Sequence, residues 1–228
     1  MLLENFRLIN EEFHADSVLP EQMDSLLANG WRHFGSHFFR YNVGLLHFDI
    51  RFVTPLRIRL ADFSLSKSQR RVLRQNTDLD VVIRPVEITD ADEQMFHRHK
   101  TRFDHSVPDS IFNFVSTDPA NSPCEAKEIR VIHNGKLLAV SYFDIGRIST
   151  SGIYAMCEPT VTDRSLGIFT MLKEIEYSIE TGCEFYYQGY AYEGESFYDY
   201  KKRFRATESF DWDETWQDFE SKSSEFHL

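Results

Sequence analysis

Cysteine is scarce in this 228-residue chain: Cys124, Cys157 and Cys183 stand far apart, with no C-x-x-C pair among them. That scarcity excludes a disulfide framework and a zinc ribbon, and it leaves the three residues as core thiols. Long apolar runs are lacking too, and none approaches the roughly 20 residues of a membrane span. The start, MLLENFRLINEEF, carries acids where a secretory signal has a basic end and an apolar core, which predicts a cytoplasmic location. Fixed-period repeats and low-complexity tracts are absent, excluding solenoids and long disordered linkers. What is present is core material: 42% hydrophobic and 14% aromatic residues, enough for one large packed domain or two small ones.

Charge is unevenly placed. Of the formal net −11, residues 1–30 contribute −5 (six acids, one arginine) and residues 206–228 contribute −6 (seven acids, one lysine). The middle, 31–205, is neutral with 23 charges of each sign. Within it, KSQRRVLR (Lys67 to Arg74) packs four cations into eight residues, and YKKRFR (Tyr200 to Arg205) packs four into six. Each run reads as a solvated helix face or as a local docking point for a polyanion on an otherwise acidic protein.

Along the chain, PEQMDSLLANG (Pro20 to Gly30) reads as a short helix ended by Gly30, and WRHFGSHFFRYN and LLHFDIRFVTPLRIRLADF read as paired strands. KSQRRVLRQN reads as a helix capped by Ser66 or Ser68. From Leu79 the pattern becomes regular, which places a seam near residue 80. LDVVIRPVEI predicts a strand, and TDADEQMFHRHKTRF a helix capped by Thr89 or Asp90. EIRVIHNGKLLAVSYFDIG predicts a hairpin turning at Asn134-Gly135. SGIYAMCEP predicts a further strand, followed by a helix in which Leu166, Phe169, Leu172, Ile175 and Ile179 form one apolar stripe. EFYYQGYAY predicts a strand, FYDYKKRF a short helix, and ATESFDW a last strand. The order β-α-β-β-β-α-β-α-β predicts an α+β fold, a mixed sheet flanked by helices. Residues 1–80 would form a smaller N-terminal α/β region and 81–228 the main unit.

That order resembles the GNAT acyltransferase fold, and local motifs agree with it. VVIRPVEITDAD is similar to the first strand and helix of such domains, and HNGKLLAV to their central hairpin. Arg164-Ser165-Leu166-Gly167 is similar to the R-x-x-G loop, in which backbone N–H groups at a helix N-terminus receive a pyrophosphate. Tyr200-Lys201-Lys202-Arg203-Phe204 is similar to a segment whose tyrosine often serves as general acid. A narrower resemblance covers most of the chain. GWRHFGSHFFRYN, TPLRIRLADFSLSKSQRRVLRQNTDLDV, DRSLGIFTMLKEIEYSIETG, FYYQGY and YKKRF resemble the aminoacyl-tRNA–protein transferases, the arginyl- and leucyl-transferases of the N-degron pathway. The resemblance implies transfer of Arg or Leu from tRNA to the N-terminal amine of an acceptor protein or peptide beginning with an acidic residue. It implies no cofactor beyond aminoacyl-tRNA as co-substrate, and no membrane partner; the oligomeric state stays open. The chain departs from the family in lacking its early cysteine cluster, in Gln188 where the family strand usually has Leu, and in Phe197-Tyr198 within a turn that usually holds Met. No metal is therefore expected.

Forming an amide from an aminoacyl ester requires a neutral amine beside the carbonyl, a stabilised oxyanion, and a proton for the departing ribose hydroxyl. The resemblance makes Tyr200 the expected acid, its phenol made more acidic by Lys201, Lys202 and Arg203. Strict alternation would put Tyr186, Gln188, Tyr190 and Tyr192 on one face of their strand and Phe185, Tyr187, Gly189 and Ala191 on the other. Gln188 would then orient the attacking amine, Tyr190 would stack on the terminal adenine, and Gly189 would let substrate approach the backbone. Tyr154, Arg164, Ser165, Gly167, Tyr187, Gly189, Tyr190, Lys201 and Arg203 form the expected substrate-binding set. Lys67, Arg70, Arg71 and Arg74 form the expected tRNA-binding set, through phosphate contacts.

Cations must meet an acidic acceptor, and Arg32, Arg40 and Arg57 are the candidates. Phe169 would crowd a CoA pyrophosphate at Gly167, which favours a tRNA donor. The histidine pairs His33/His37 and His97/His99 lack metal-ligand spacing and read as core or surface residues. The acidic segment Glu208 to Glu220, with Trp212, Trp216 and Phe219 at helical spacing, reads as a closing amphipathic element. Three alternatives stay open: an acyl-CoA-dependent N-acetyltransferase, a non-catalytic tRNA- or degron-binding module, and aminoacyl transfer to a small molecule or peptide.

Overall fold

The computed structural model describes residues 7–46, 49–103 and 107–219. In chain order its elements are β1 (Asn10–His14), α1 (Pro20–Ala28), β2 (Arg32–Phe34), β3 (His37–Tyr41), β4 (Val43–Leu46), β5 (Asp49–Arg59), α2 (Lys67–Gln75), β6 (Asp80–Pro85) and α3 (Asp90–His99). Then follow β7 (Ala126–His133), β8 (Lys136–Ile145), β9 (Ser149–Cys157), α4 (Leu166–Glu180), β10 (Phe185–Tyr192), a 3-10 segment (Phe197–Arg203), β11 (Thr207–Phe210) and β12 (Trp216–Asp218). The large sheet runs β12-β11-β5-β10-β9-β8-β7-β6, with β4 on β5; a small sheet runs β1-β3-β2. From β6 onward this is the α+β order read from the sequence, with a 3-10 segment where a short helix was expected.

Local chemistry explains most of the elements. Ser66 caps α2 reciprocally with Gln69: the Gln69 N–H donates to Ser66 Oγ at 3.2 Å, and the Ser66 N–H donates to Gln69 Oε1 at 2.8 Å. Thr89 caps α3, with its N–H donating to Asp92 at 2.9 Å. Asn134 and Gly135 both take positive φ, 50° and 76°, which the tight turn between β7 and β8 requires. In α4, Leu166, Phe169, Leu172 and Ile175 are buried as expected, but Ile179 is 47% exposed. Thr170, Glu174 and Ser178 are buried instead, four residues apart in turn: Glu174 accepts from Tyr186 of β10 and Ser178 bonds Thr150 of β9, so this row faces the sheet.

The sheet divides the core. On one face α2 and α4 cover Ile58, Ile129, Val131, Phe143 and Tyr186. On the other, α3 covers Val140, Tyr142 and Met156. The small sheet and α1 lie over Tyr187 and Cys124. β5 sits between β10 and β11 in mid-sheet, and Ile58, Leu60 and Val72 share a core with α4, so residues on both sides of position 80 contribute to the large sheet and to that core.

The closing segment is corrected by the structure. Residues 208–219 form no helix but the β11–β12 hairpin, whose turn carries Trp212 and Glu214 at φ 69° and 68°. Asp211 Oδ1 accepts the N–H groups of Asp213 and Thr215, which stabilises the turn over a helix. The indole N–H groups of Trp212 and Trp216 donate to the carbonyls of Val53 and Ala28, at 2.7 and 2.9 Å. Glu220 lies outside the described residues.

Candidate active site

β9 and β10 run parallel and pair over only three residues: Phe185 with Ser149, Tyr186 with Thr150, and Tyr187 with Ser151. Both strands are bulged at that level. Against β8, β9 carries an extra residue, since Tyr142 and Phe143 pair with Tyr154 and Gly152. Against β5, β10 carries Gln188 as the extra residue between Tyr187 (opposite Arg57) and Gly189 (opposite Leu56). A bulge bends its strand and raises its twist, so two at one level open the sheet into a fork. Gly189 sits at φ +92°, open to glycine and hostile to other residues.

Polar groups converge on this fork. Arg32, from β2, donates to Ser151 Oγ and to the Gly152 carbonyl. A Cβ on Gly152 would lie 2.8 Å from the Tyr186 hydroxyl and 3.0 Å from Glu174 Oε2, while Tyr186 donates to Glu174 at 2.5 Å. A Cβ on Gly189 would lie 3.3 Å from Lys201 Nζ and 3.7 Å from the Arg32 guanidinium. Two cations thus stand over the bare backbone of Gly189.

Burial, reinforced by the Arg32 charge, lowers the Lys201 ammonium to about 7. Burial raises the Glu174 carboxyl to about 7, against hydrogen bonding from Tyr186 and the attraction of Arg32. Desolvation also lowers Arg32 itself, opposed most by Asp144. Gln188 is 3% exposed, and among the described residues neither end of its carboxamide has a hydrogen-bond partner. The fork therefore combines fixed cationic donors, an amine that titrates near neutrality and a buried, unsatisfied amide, groups able to hold negative charge and to take up a proton.

Residues 91–211 match the family model described as "Arginine-tRNA-protein transferase, C terminus". The chain belongs to the aminoacyl-tRNA–protein transferase family. An aspartate/glutamate leucyltransferase of Helicobacter hepaticus is 26% identical over 207 residues, covering 84% of this chain and 80% of that protein. One from Xanthomonas euvesicatoria pv. vesicatoria is 31% identical over 171 residues, covering 71% and 67%. The C-terminal domain of a protein named as a lysylphosphatidylglycerol synthetase, from Agrobacterium fabrum, shares the fold: TM-score 0.52 at 14% identity, over 81% of this chain and 55% of that one.

The transferase brings together only part of the residue set read from its sequence. Gln188, Gly189 and Lys201 meet at the fork, and Tyr200 packs on the core that holds Tyr186. The expected alternation fails, because the bulge at Gln188 returns Tyr190 to the side of Tyr187, facing the small sheet. Tyr187 packs there and takes a 3.4 Å bond from Arg57; the Tyr190 hydroxyl donates to the Gly30 carbonyl at 2.7 Å, its ring against Tyr41 and Trp212. Tyr154 stacks on Phe114 with ring centroids 4.0 Å apart, on the α3 side.

Arg164 forms a bidentate pair with Asp78 at 2.7 and 2.9 Å, tying the loop before α4 to the end of α2. Ser165 is left-handed, φ 52°, and makes no side-chain cap, while the Cβ direction of Gly167 is open. Phe169 is corrected: it is 2% exposed inside the core, so it does not crowd Gly167. Arg203 is exposed, as are Lys67, Arg70, Arg71 and Arg74 along α2.

Of the three arginines proposed for an acidic acceptor, the transferase places Arg32 at the fork. Arg40 is paired with Glu11 at 2.7 Å, and Arg57 binds Glu208 at 2.6 Å between the rings of Phe185 and Trp216. Sequence reasoning missed Glu174, Ser151 and Gly152. The one local signal was the row Thr170, Glu174, Ser178, polar at four-residue steps beside an apolar stripe.

His33, Cys124 and Asp144 form the one group among the described residues with three potential metal ligands within 4.8 Å. They are already joined by hydrogen bonds: His33 Nε2 to Asp144 at 2.9 Å, the Cys124 thiol to Asp144 at 3.4 Å, and His33 Nδ1 to the Gly35 carbonyl at 2.9 Å. Burial first, then Asp144, pushes the Cys124 thiol up, which keeps it protonated and a poor ligand. The trio clamps the small sheet to β8.

Proposed function

We propose that this transferase moves leucine or arginine from its tRNA to the α-amine of a protein or peptide beginning with Asp or Glu, with the β9–β10 fork as the reaction site. The observation that carries this reading is the pair of cations, Arg32 and Lys201, over Gly189. A carboxylate side chain beside the attacking amine would meet both, and charge-assisted hydrogen bonds are about twice as strong as neutral ones. The names of the leucyltransferase relatives favour leucine as donor and Asp or Glu as acceptor.

In this scheme the acceptor ammonium gives a proton to Lys201, which is partly neutral near pH 7. The amine nitrogen then bonds to the ester carbonyl carbon, the carbon–oxygen bond to the ribose breaks, and Tyr200 protonates the departing oxygen while it regains a proton from the nitrogen as the amide forms. The ester is already activated, so orientation supplies much of the barrier reduction, roughly 7–11 kcal/mol in well-oriented reactions. The exposed cations of α2 would hold the tRNA phosphates. The reaction needs no cofactor and belongs in the cytoplasm with charged tRNA; no helix among the described residues is long and apolar enough to cross a membrane.

A second reading, acyl-CoA-dependent N-acetylation, draws on the open first turn of α4 at Gly167. One experiment separates the two: transfer of radiolabel from Leu-tRNA, Arg-tRNA or acetyl-CoA to peptides beginning with Asp or Asn. Label from one tRNA on the Asp peptide alone is the expected result. Label from acetyl-CoA alone would replace the first reading with the second.

A further inference from the structure

The carboxamide of Gln188 is chemically unused in the scheme above. It is buried, both its donor and its acceptor are unmet among the described residues, and it is the extra residue of the bulge that opens the fork. Buried polar groups in folded proteins are satisfied almost without exception, so such an amide calls for a ligand that brings a donor and an acceptor side by side. The next residue is Gly189, over which Lys201 and Arg32 stand, so that ligand group belongs close to the reacting atoms.

Three parts of the substrates reach this neighbourhood. A leucine donor side chain has no polar atom to offer, and an arginine one offers donors but no acceptor. The terminal adenine of the tRNA has both a donor and an acceptor edge but stands a whole ribose beyond the ester. The second residue of an extended acceptor presents its N–H and C=O on the same edge, and that N–H is three bonds from the attacking amine. We infer that Gln188 pairs with the backbone of the acceptor's second residue, Nε2–H donating to its carbonyl and its N–H donating to Oε1. The acceptor is then a peptide or protein, and free amino acids and simple amines are excluded as good substrates. Gln188 on this account is a specificity-determining residue; the inference rests on the transfer reaction proposed above.

The test uses two acceptors, an Asp-Ala peptide and the analogue in which an ester oxygen replaces the N–H of the second residue, with the donor tRNA that supports transfer. The wild-type protein should favour the peptide by about tenfold to a hundredfold in kcat/KM, the factor expected when one buried acceptor is left unpaired by the analogue. Gln188→Leu and Gln188→Met should fall to the ester's level on both acceptors while keeping the wild-type Tm. Equal use of both acceptors by the wild type, or discrimination surviving in either variant, would overturn the inference while leaving the transferase reading intact. An altered preference between Leu-tRNA and Arg-tRNA, with ester discrimination unchanged, would assign the amide to the donor side chain and also overturn it. Absence of transfer to either acceptor from either tRNA would remove the reaction itself, and this inference with it.

Discussion

Lys201 Nζ stands 3.3 Å from the point that a Cβ on Gly189 would occupy, so the amine rests against backbone that no other residue leaves bare. The Arg32 guanidinium is 3.7 Å from the same point, and the two cations reach it from opposite ends of the chain. Burial with a like charge lowers the Lys201 pKa to about 7, which gives the fork its pH dependence.

Below pH 7 Lys201 is an ammonium with no room for a further proton; above it, a neutral amine. Transfer should therefore gain in kcat/KM as pH rises through about 7, with a further rise from the acceptor amine near 8. Lys201→Met should lose the lower limb and fall about 10²- to 10⁴-fold, while the upper limb persists. A pH profile of the variant that keeps both limbs would remove Lys201 from proton transfer.

Arg32→Gln should collapse the preference for Asp over Asn acceptors, by about tenfold to a hundredfold, since the charge-assisted bond is worth roughly 1.5–3 kcal/mol. The ratio of kcat/KM for the two acceptors is the readout. Arg32 also holds Ser151 and Gly152, so overall activity will drop in any case, but only a role in reading charge moves the ratio.

Glu174 titrates near 7 in the folded chain, against an ordinary 4.5. Between these values the folded state holds a proton that the unfolded chain has released. Its contribution is thus fully present below pH 4.5 and is lost as pH rises through 7. Glu174→Gln should stabilise the protein at pH 8 by about 1–3 kcal/mol relative to wild type and leave it unchanged near pH 4.5, measured by urea unfolding. An equal effect at both pH values would show that Glu174 keeps its protonation state on folding.

The exposed cations of α2 make a separate prediction about the tRNA. Arg71→Glu with Arg74→Glu should raise KM for aminoacyl-tRNA and flatten its salt dependence, by a log–log slope of roughly 0.7–0.9 per lost phosphate contact. Transfer from a short aminoacyl-nucleoside donor should be unaffected. Loss of both activities would mean that α2 supports the fold and not the tRNA.

The sequence by itself determined the parts whose causes are local. Ser66 with Gln69, Thr89 with Asp92, and Asn134 with Gly135 each fix an element boundary within a few residues of chain. The spacing from Leu166 to Ile175 marked α4 before any packing was known. The resemblance in YKKRF and FYYQGY likewise drew attention to Lys201, Gln188 and Gly189, because those residues lie within their motifs.

Tertiary structure alone decided the rest. Whether Gln188 lies on one face of a regular strand or bulges depends on how β5 and β9 pair with β10, and no period within the strand contains that information. Arg32 was one of three equivalent arginines until Arg40 and Arg57 found Glu11 and Glu208, leaving Arg32 to reach Ser151, 119 residues away in sequence. The Trp212 and Trp216 spacing suited a helix, yet two indole N–H groups had backbone carbonyls within reach only if the segment turned back as a hairpin. Short-range spacing specifies which groups a segment presents. Which of them remain unpaired, and so free for chemistry, is settled only when distant segments have claimed their partners.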